Sequence, residues 1–183
     1  MITWSFSKRL IALAMLALAA CDEAPGSTAS AALTQARMAQ GAVMLVPPPG
    51  YCIDRRSLKQ RFAIMARCDT LGGSSGGGAP LGILIASFSP ATGEGTLPAP
   101  EVTAQALELQ NVSAQRKDDS AVIFRAEGPA PVEGMSSRHW RANALVGGQI
   151  MGLALYGPEG GPAAGEEGRA MLNQVISASR QGS

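Results

Sequence analysis

Residues 136–157 read SSRHWRANALVGGQIMGLALYG, two alternating runs separated by Gly147-Gly148. Two glycines between such runs suit a two-residue hairpin turn of the primed type, whose central residues need positive φ. Setting Val146 opposite Gln149 places Ala144 opposite Met151, Ala142 opposite Leu153 and Trp140 opposite Leu155. Large residues then lie beside small ones on one apolar face. The other face pairs Leu145 with Ile150, Asn143 with Gly152, Arg141 with Ala154 and His139 with Tyr156. It is more polar, so the hairpin predicts a sheet with one side packed on helices and part of the other meeting solvent.

Further strands are expected on the N-terminal side of this hairpin. An apolar run at Ala42–Val46 stops at Pro47-Pro48-Pro49-Gly50, which cannot continue a central strand. Tyr51–Asp54, Phe62–Asp69, Leu81–Phe88 and Ala121–Ala126 read as further strands. Pro100–Asn111 predicts a helix with Val102, Ala106 and Leu109 on one face, followed by a charged connection at Arg116-Lys117-Asp118-Asp119. A closing helix over 163–180 carries Met171, Leu172, Val175 and Ile176 on one face, with acids early and Arg180 late. About six mostly antiparallel strands with two longer helices, in no regular βαβ alternation, argue an α+β sandwich. The order of a proline-ended first strand, a run of strands, a middle helix, a long late hairpin and a closing helix resembles PsbP-like domains over residues 42–180. That resemblance rests on element order and transfers no functional residue.

The first 21 residues are of a different kind. Lys8-Arg9 precede the uncharged run Leu10–Ala20, and Cys21, Asp22 and Glu23 restore polarity. A charged start followed by a short apolar stretch is the pattern of an export signal. A helix of that run would span roughly 17 Å, short of the ~30 Å hydrocarbon layer. Leu18-Ala19-Ala20-Cys21 resembles the lipobox of bacterial lipoproteins at all four positions. The resemblance implies a diacylglycerol thioether on the Cys21 thiol, cleavage before Cys21 and acylation, palmitate-like, of the new amino group. The alternative is an ordinary secretory signal cleaved after Ala17-Leu18-Ala19. Asp22 and Glu23 after the lipidated cysteine resemble inner-membrane retention signals, which favours the inner over the outer membrane. The expected organisation is a signal peptide at 1–20, a lipidated cysteine and flexible tether at 21–41, within which Ala31–Gln40 could add a short helix, and one α+β domain at 42–183.

Export sets the reading of the remaining cysteines. Cys52 and Cys68 form an even pair in an oxidising compartment, where structural disulfides form. Two buried thiols or a redox pair are the alternatives, although the spacing is far from C-x-x-C. Removing residues 1–20 takes away Lys8 and Arg9 and leaves 13 basic against 14 acidic side chains. A net charge near zero gives no long-range attraction for nucleic acid. One His and three scattered Cys exclude a Cys/His zinc module.

The motifs that could carry chemistry are sparse. Gly72-Gly73-Ser74-Ser75-Gly76 matches G-x-S-x-G, but Gly77, Gly78 and Pro80 follow where a nucleophile elbow needs a helix. Asp54 and Asp69 flank the cysteine pair and could approach each other as a carboxylate dyad, or lie solvated at strand ends. His139, Arg141, Asn143 and Tyr156 cluster on one hairpin face, where Arg141 could meet an anionic group beside two amphipathic rings, or the face could be solvated or covered. Arg55, Arg56, Lys59, Arg61 and Arg67 place five positive charges within 13 residues without an acid between them, a candidate patch for anionic lipid or a solvated loop. The sequence therefore predicts a lipid-anchored protein of the cell envelope facing the periplasm, a non-enzymatic interaction or assembly module without metal, cofactor or nucleic acid. The alternative is a small-ligand-binding lipoprotein that uses the hairpin face around Arg141 and Tyr156, and an enzyme comes third.

Overall fold

A computed structural model of the chain describes residues 32–73, 77–91 and 95–183. The strands are β1 (Ala32–Leu33), β2 (Ala36–Met38), β3 (Val43–Leu45), β4 (Tyr51–Asp54), β5 (Phe62–Arg67), β6 (Ile83–Pro90), β7 (Gln110–Lys117), β8 (Ala121–Glu127), β9 (Arg138–Val146) and β10 (Gln149–Tyr156). Two α-helices accompany them, α1 (Pro100–Ala106) and α2 (Glu166–Gln181). The architecture is α+β. Eight strands form one antiparallel sheet in the order β1-β4-β5-β6-β10-β9-β8-β7, and β2 and β3 form a separate two-stranded sheet.

The hairpin adopts the register its alternation dictates. Val146 pairs with Gln149, Ala144 with Met151, Ala142 with Leu153 and Trp140 with Leu155. Gly147 and Gly148 turn the chain with φ of 55° and 71°, the left-handed pair a type I′ turn requires. Strand β6 then pairs with the free side of β10, so the hairpin lies in the middle of the sheet. Cys52 and Cys68 are disulfide-bonded, with Cα atoms 4.8 Å apart, and tie β4 to the end of β5.

The sheet is two strands wider than the expected six. Strand β1 is two residues on an edge, too short to show a period. Strand β7 pairs with β8 through two register shifts, with Asn111 at φ 52° and Ala114 at φ 49°. Such bulges break the period-2 pattern, so this segment reads from sequence as a helix tail and a charged connection. The bulges, with Arg116 and Lys117, also guard an edge that would otherwise invite pairing with another chain. Accordingly the helix expected over 100–111 stops at Ala106.

The segment 32–41 is part of the fold rather than a tether. Ala32 pairs with Asp54 and Leu33 with Ile53, and Met38 on β2 is 1% exposed. Of the short helix expected at 31–40, the described residues 32–40 form no α-helix. Strand β2 leads into a 3-10 turn at Ala39–Gly41, where Ala39 and Gln40 have positive φ.

The core lies on one face of the sheet. Trp140, Ala142, Ala144 and Val146 of β9 and Met151, Leu153 and Leu155 of β10 meet Met171, Leu172, Val175 and Ile176 of α2. Val43 and Leu45 close the same layer. Helix α2 approaches β9 closely because position 168 is glycine. A Cβ there would lie 2.0 Å from the Ala163 carbonyl oxygen and 2.7 Å from Trp140 Cδ1. The Trp140 indole N–H donates to the Gly165 carbonyl at 2.6 Å, so the buried ring leaves no polar atom unpaired.

Candidate functional site

The second face of the sheet carries the polar residues. To pass from β6 in the middle of the sheet to β7 at its edge, the chain crosses β10, β9 and β8 on this side, and α1 lies in that crossing. Thr103 of α1 accepts a 2.7 Å hydrogen bond at its hydroxyl from the Asn143 side-chain amide of β9. Ala104 buries against the same layer. Val102, expected on the buried face of the helix, is instead 57% exposed, and Leu109 lies beyond the helix end.

On this same face, His139, Arg141 and Tyr156 form one hydrogen-bonded unit. The Arg141 Nε–H donates to His139 Nε2 at 2.8 Å, and Arg141 Nη2 donates to the Tyr156 hydroxyl at 2.8 Å. The His139 and Tyr156 rings stack with centroids 4.2 Å apart. A guanidinium has no acceptor, so His139 Nε2 must be unprotonated and its Nδ1–H donates to the Ser137 carbonyl at 2.8 Å. His139 is fully buried. That burial pulls its pKa down to about 4, so the imidazole is neutral near pH 7. Both ring nitrogens are engaged, which ties the ring up as a support for Arg141.

Arg141 itself lines a groove between α1 and the hairpin, with a cavity of about 100 Å³. Thr103 comes from α1, Leu107 from its C-terminal cap, Ser87 and Ile85 from β6, and Asn143, Gly152 and Ala154 from the hairpin. Gly152 keeps the floor low, because a Cβ there would lie 2.9 Å from the Ser87 hydroxyl. No carboxylate pairs with Arg141 among the described residues. Desolvation pulls its pKa below the ordinary arginine value, and the Tyr156 hydroxyl opposes that pull. Its described hydrogen bonds use Nε and Nη2 alone. Planar, forked donors of this kind match a carboxylate or phosphate.

The other sequence-derived candidates fare differently. Asp54 and Asp69 do not form a dyad, because they lie at opposite ends of the β4–β5 pair. Asp54 pairs with Arg56 at 3.0 Å and Asp69 with Arg67, and these arginine hydrogen bonds hold both carboxyls below the usual range. Arg67 is thereby separated from Arg55, Arg56, Lys59 and Arg61, which lie together in the β4–β5 connection. Ser74 of the G-x-S-x-G match and Cys21 lie outside the described residues. No group of His, Cys, Asp or Glu able to hold a metal is found among the described residues. No described helix is long and apolar enough to cross a membrane.

Sequence reasoning missed the groove walls. Thr103, Leu107, Ile85 and Ser87 belong to elements distant in the chain, and the helix pattern pointed to Val102, Ala106 and Leu109 instead. It also missed Arg125, which stacks 5.0 Å from the Trp140 ring on the core side and donates to the Ala164 carbonyl. Its position opposite Trp140 follows from the β8–β9 pairing, Arg125 with Trp140. No family model, no curated protein and no solved structure matches this chain.

Proposed function

We propose that this chain is a lipid-anchored lipoprotein of the cell envelope, facing the periplasm from the inner membrane, whose domain works by binding a small anionic ligand in the groove at Arg141. The observation that carries the binding reading is a guanidinium facing a groove with unused donors and no carboxylate partner. The cavity of about 100 Å³ is about three water volumes, so it takes the charged head of a ligand rather than a whole drug-sized molecule. Ile85, Ala154 and the half-exposed Leu107 offer the wall for an apolar body. The ligand class is therefore a carboxylate on an apolar chain. The locking of His139 by hydrogen bonds on both ring nitrogens supports binding over catalysis. The lipid anchor rests on the Leu18-Ala19-Ala20-Cys21 resemblance, and the PsbP-like likeness on element order. A second reading, an assembly module for a protein partner, is favoured by exposed Val102 on α1 and Leu107 at its C-terminal cap.

Calorimetric titration with octanoate and with 1-octanol separates these readings. Octanoate is expected to bind the intact chain at least about tenfold more tightly than the alcohol, since a charge-assisted bond contributes on the order of 1.5–3 kcal/mol. Arg141→Gln is expected to abolish the preference while leaving the fold intact. Equal binding of acid and alcohol, or an unchanged preference in Arg141→Gln, would refute the carboxylate site. The anchor is tested separately by membrane fractionation of Cys21→Ala, which is expected to leave the membrane fraction.

A further inference from the structure

The folded domain is electrically polarised along its strands. Strand β4 ends at Asp54 and β5 begins at Phe62, so the intervening loop lies at one end of the sheet, which also carries the β9–β10 turn and the C-terminus of α2. Arg55, Lys59 and Arg61 are exposed there and have no ion-pair partner among the described residues, while the exposed Asp118 and Asp119 of the β7–β8 connection, at the same end, are matched by the adjoining Arg116 and Lys117. Arg37 on β2 is exposed beside them, since the Ala39 N–H donates to the Gln60 carbonyl. The opposite end holds the loops after β5, α1, β8 and β10. Glu108, Glu133, Glu159 and Glu167 are exposed there without ion-pair partners among the described residues, and Arg67, Arg138 and Arg169 are each paired with an acid.

The chain enters the fold at the basic end. Ala32 pairs with Asp54, the residue immediately before Arg55. Only eleven residues run from Cys21 to Ala32, a span that cannot exceed about 40 Å. A domain held that close to a bilayer lies within a few Debye lengths of its surface charge, since one Debye length is about 8 Å at physiological salt.

We infer that the basic end of the sheet, through Arg55, Lys59 and Arg61, rests on an anionic membrane surface and turns the acidic end away from it. The inference uses the anchored reading of Cys21 for proximity, while the attraction itself belongs to the folded domain. Helix α1 and the groove lie on a face of the sheet that runs between the two ends, so this orientation leaves the groove mouth open to the side. Each cation near such a surface is worth about fivefold in partitioning, so three are worth roughly a hundredfold.

The test uses the chain from residue 21 carrying Cys21→Ala, which removes acylation. It is sedimented with vesicles of phosphatidylglycerol and phosphatidylcholine, or of phosphatidylcholine alone. Roughly a hundredfold stronger partitioning onto the anionic vesicles is expected at low salt, falling as salt is raised. The triple variant Arg55→Glu, Lys59→Glu, Arg61→Glu is expected to lose it, with an unchanged thermal melt reporting an intact fold. Reversal at the acidic end, Glu133→Lys with Glu159→Lys, is expected to leave binding undiminished. Equal partitioning onto both vesicles, or retention by the triple variant, overturns the inference. Failure of the anchor would show instead as unchanged membrane fractionation of Cys21→Ala in cells, which this vesicle assay does not measure.

Discussion

The two faces of the β9–β10 hairpin bury their side chains by different means. On one, Trp140, Ala142, Ala144 and Val146 meet the apolar stripe of α2, and the contact is held by packing. On the other, Asn143 is tied to α1 and His139 to Ser137 and Arg141, and each polar atom needs a partner before it can leave water. Adjacent residues of one strand are thus buried by apolar packing on one side and by hydrogen bonds on the other. Among the described residues the buried side-chain atoms without a partner are the Ser113 hydroxyl and the Arg125 Nε, on the neighbouring strands β7 and β8. On the polar face Arg141 bonds to His139 and Tyr156 and lines a groove.

Breaking the packed face has the largest expected effect. Trp140→Ala empties the largest buried side chain and strands the Gly165 carbonyl, and is expected to cost about 3–5 kcal/mol in urea unfolding. Arg141→Gln under the same conditions is expected to cost less than half as much. A larger loss at Arg141 would mean that the polar face is structural. Next comes the Cys52–Cys68 disulfide, which links residues 16 apart, with Cys52 on the polar side of β4. Reduction is expected to lower stability by about 3 kcal/mol on the loop-entropy model, read as a shift of the urea midpoint.

The pH dependence sharpens the comparison further. His139 has its folded pKa depressed from 6.5 to about 4 by burial. The unfolded chain therefore takes up a proton between these values while the folded chain does not. Stability is fully present above pH 6.5, falls as the pH drops toward 4, and levels off below it with respect to this group. The loss is of order 3 kcal/mol across that window. Subtracting the stability–pH curve of His139→Gln from that of the unaltered chain is expected to isolate this slope. A flat difference curve would contradict a neutral, buried imidazole. The smallest effect is expected at the helix crossing, where Thr103→Val removes the acceptor of the Asn143 amide and costs about 1–2 kcal/mol, measured by thermal melting.

Much of this architecture was legible as local pattern. The hairpin register follows from Gly147-Gly148 and the alternation around them, because a one-residue slip would turn Trp140 and Met151 out of the core. Met171, Leu172, Val175 and Ile176 announced the face of α2 through their spacing. The Cys52–Cys68 pairing followed from an even count read together with an expectation of export. Strand β7 was illegible because its bulges destroy the period that identifies a strand. Helix α1 was seen, but its buried face was misread, since seven residues hold too few apolar positions to fix an orientation.

The sequence by itself therefore determined the features that depend on neighbours along the chain: turn, register, helix stripe and disulfide. It also placed His139, Arg141, Asn143 and Tyr156 on one face. Only the tertiary structure decided that α1 crosses over that face and that Ile85, Ser87, Thr103 and Gly152 join Arg141 in a groove. The same holds for the charges, since Arg67 is close to Arg61 in sequence yet stands at the other end of β5. The physical reason is that periodicity reports which side of an element is apolar. Which elements meet across that side depends on strand order, and strand order is fixed by contacts between residues far apart in the chain.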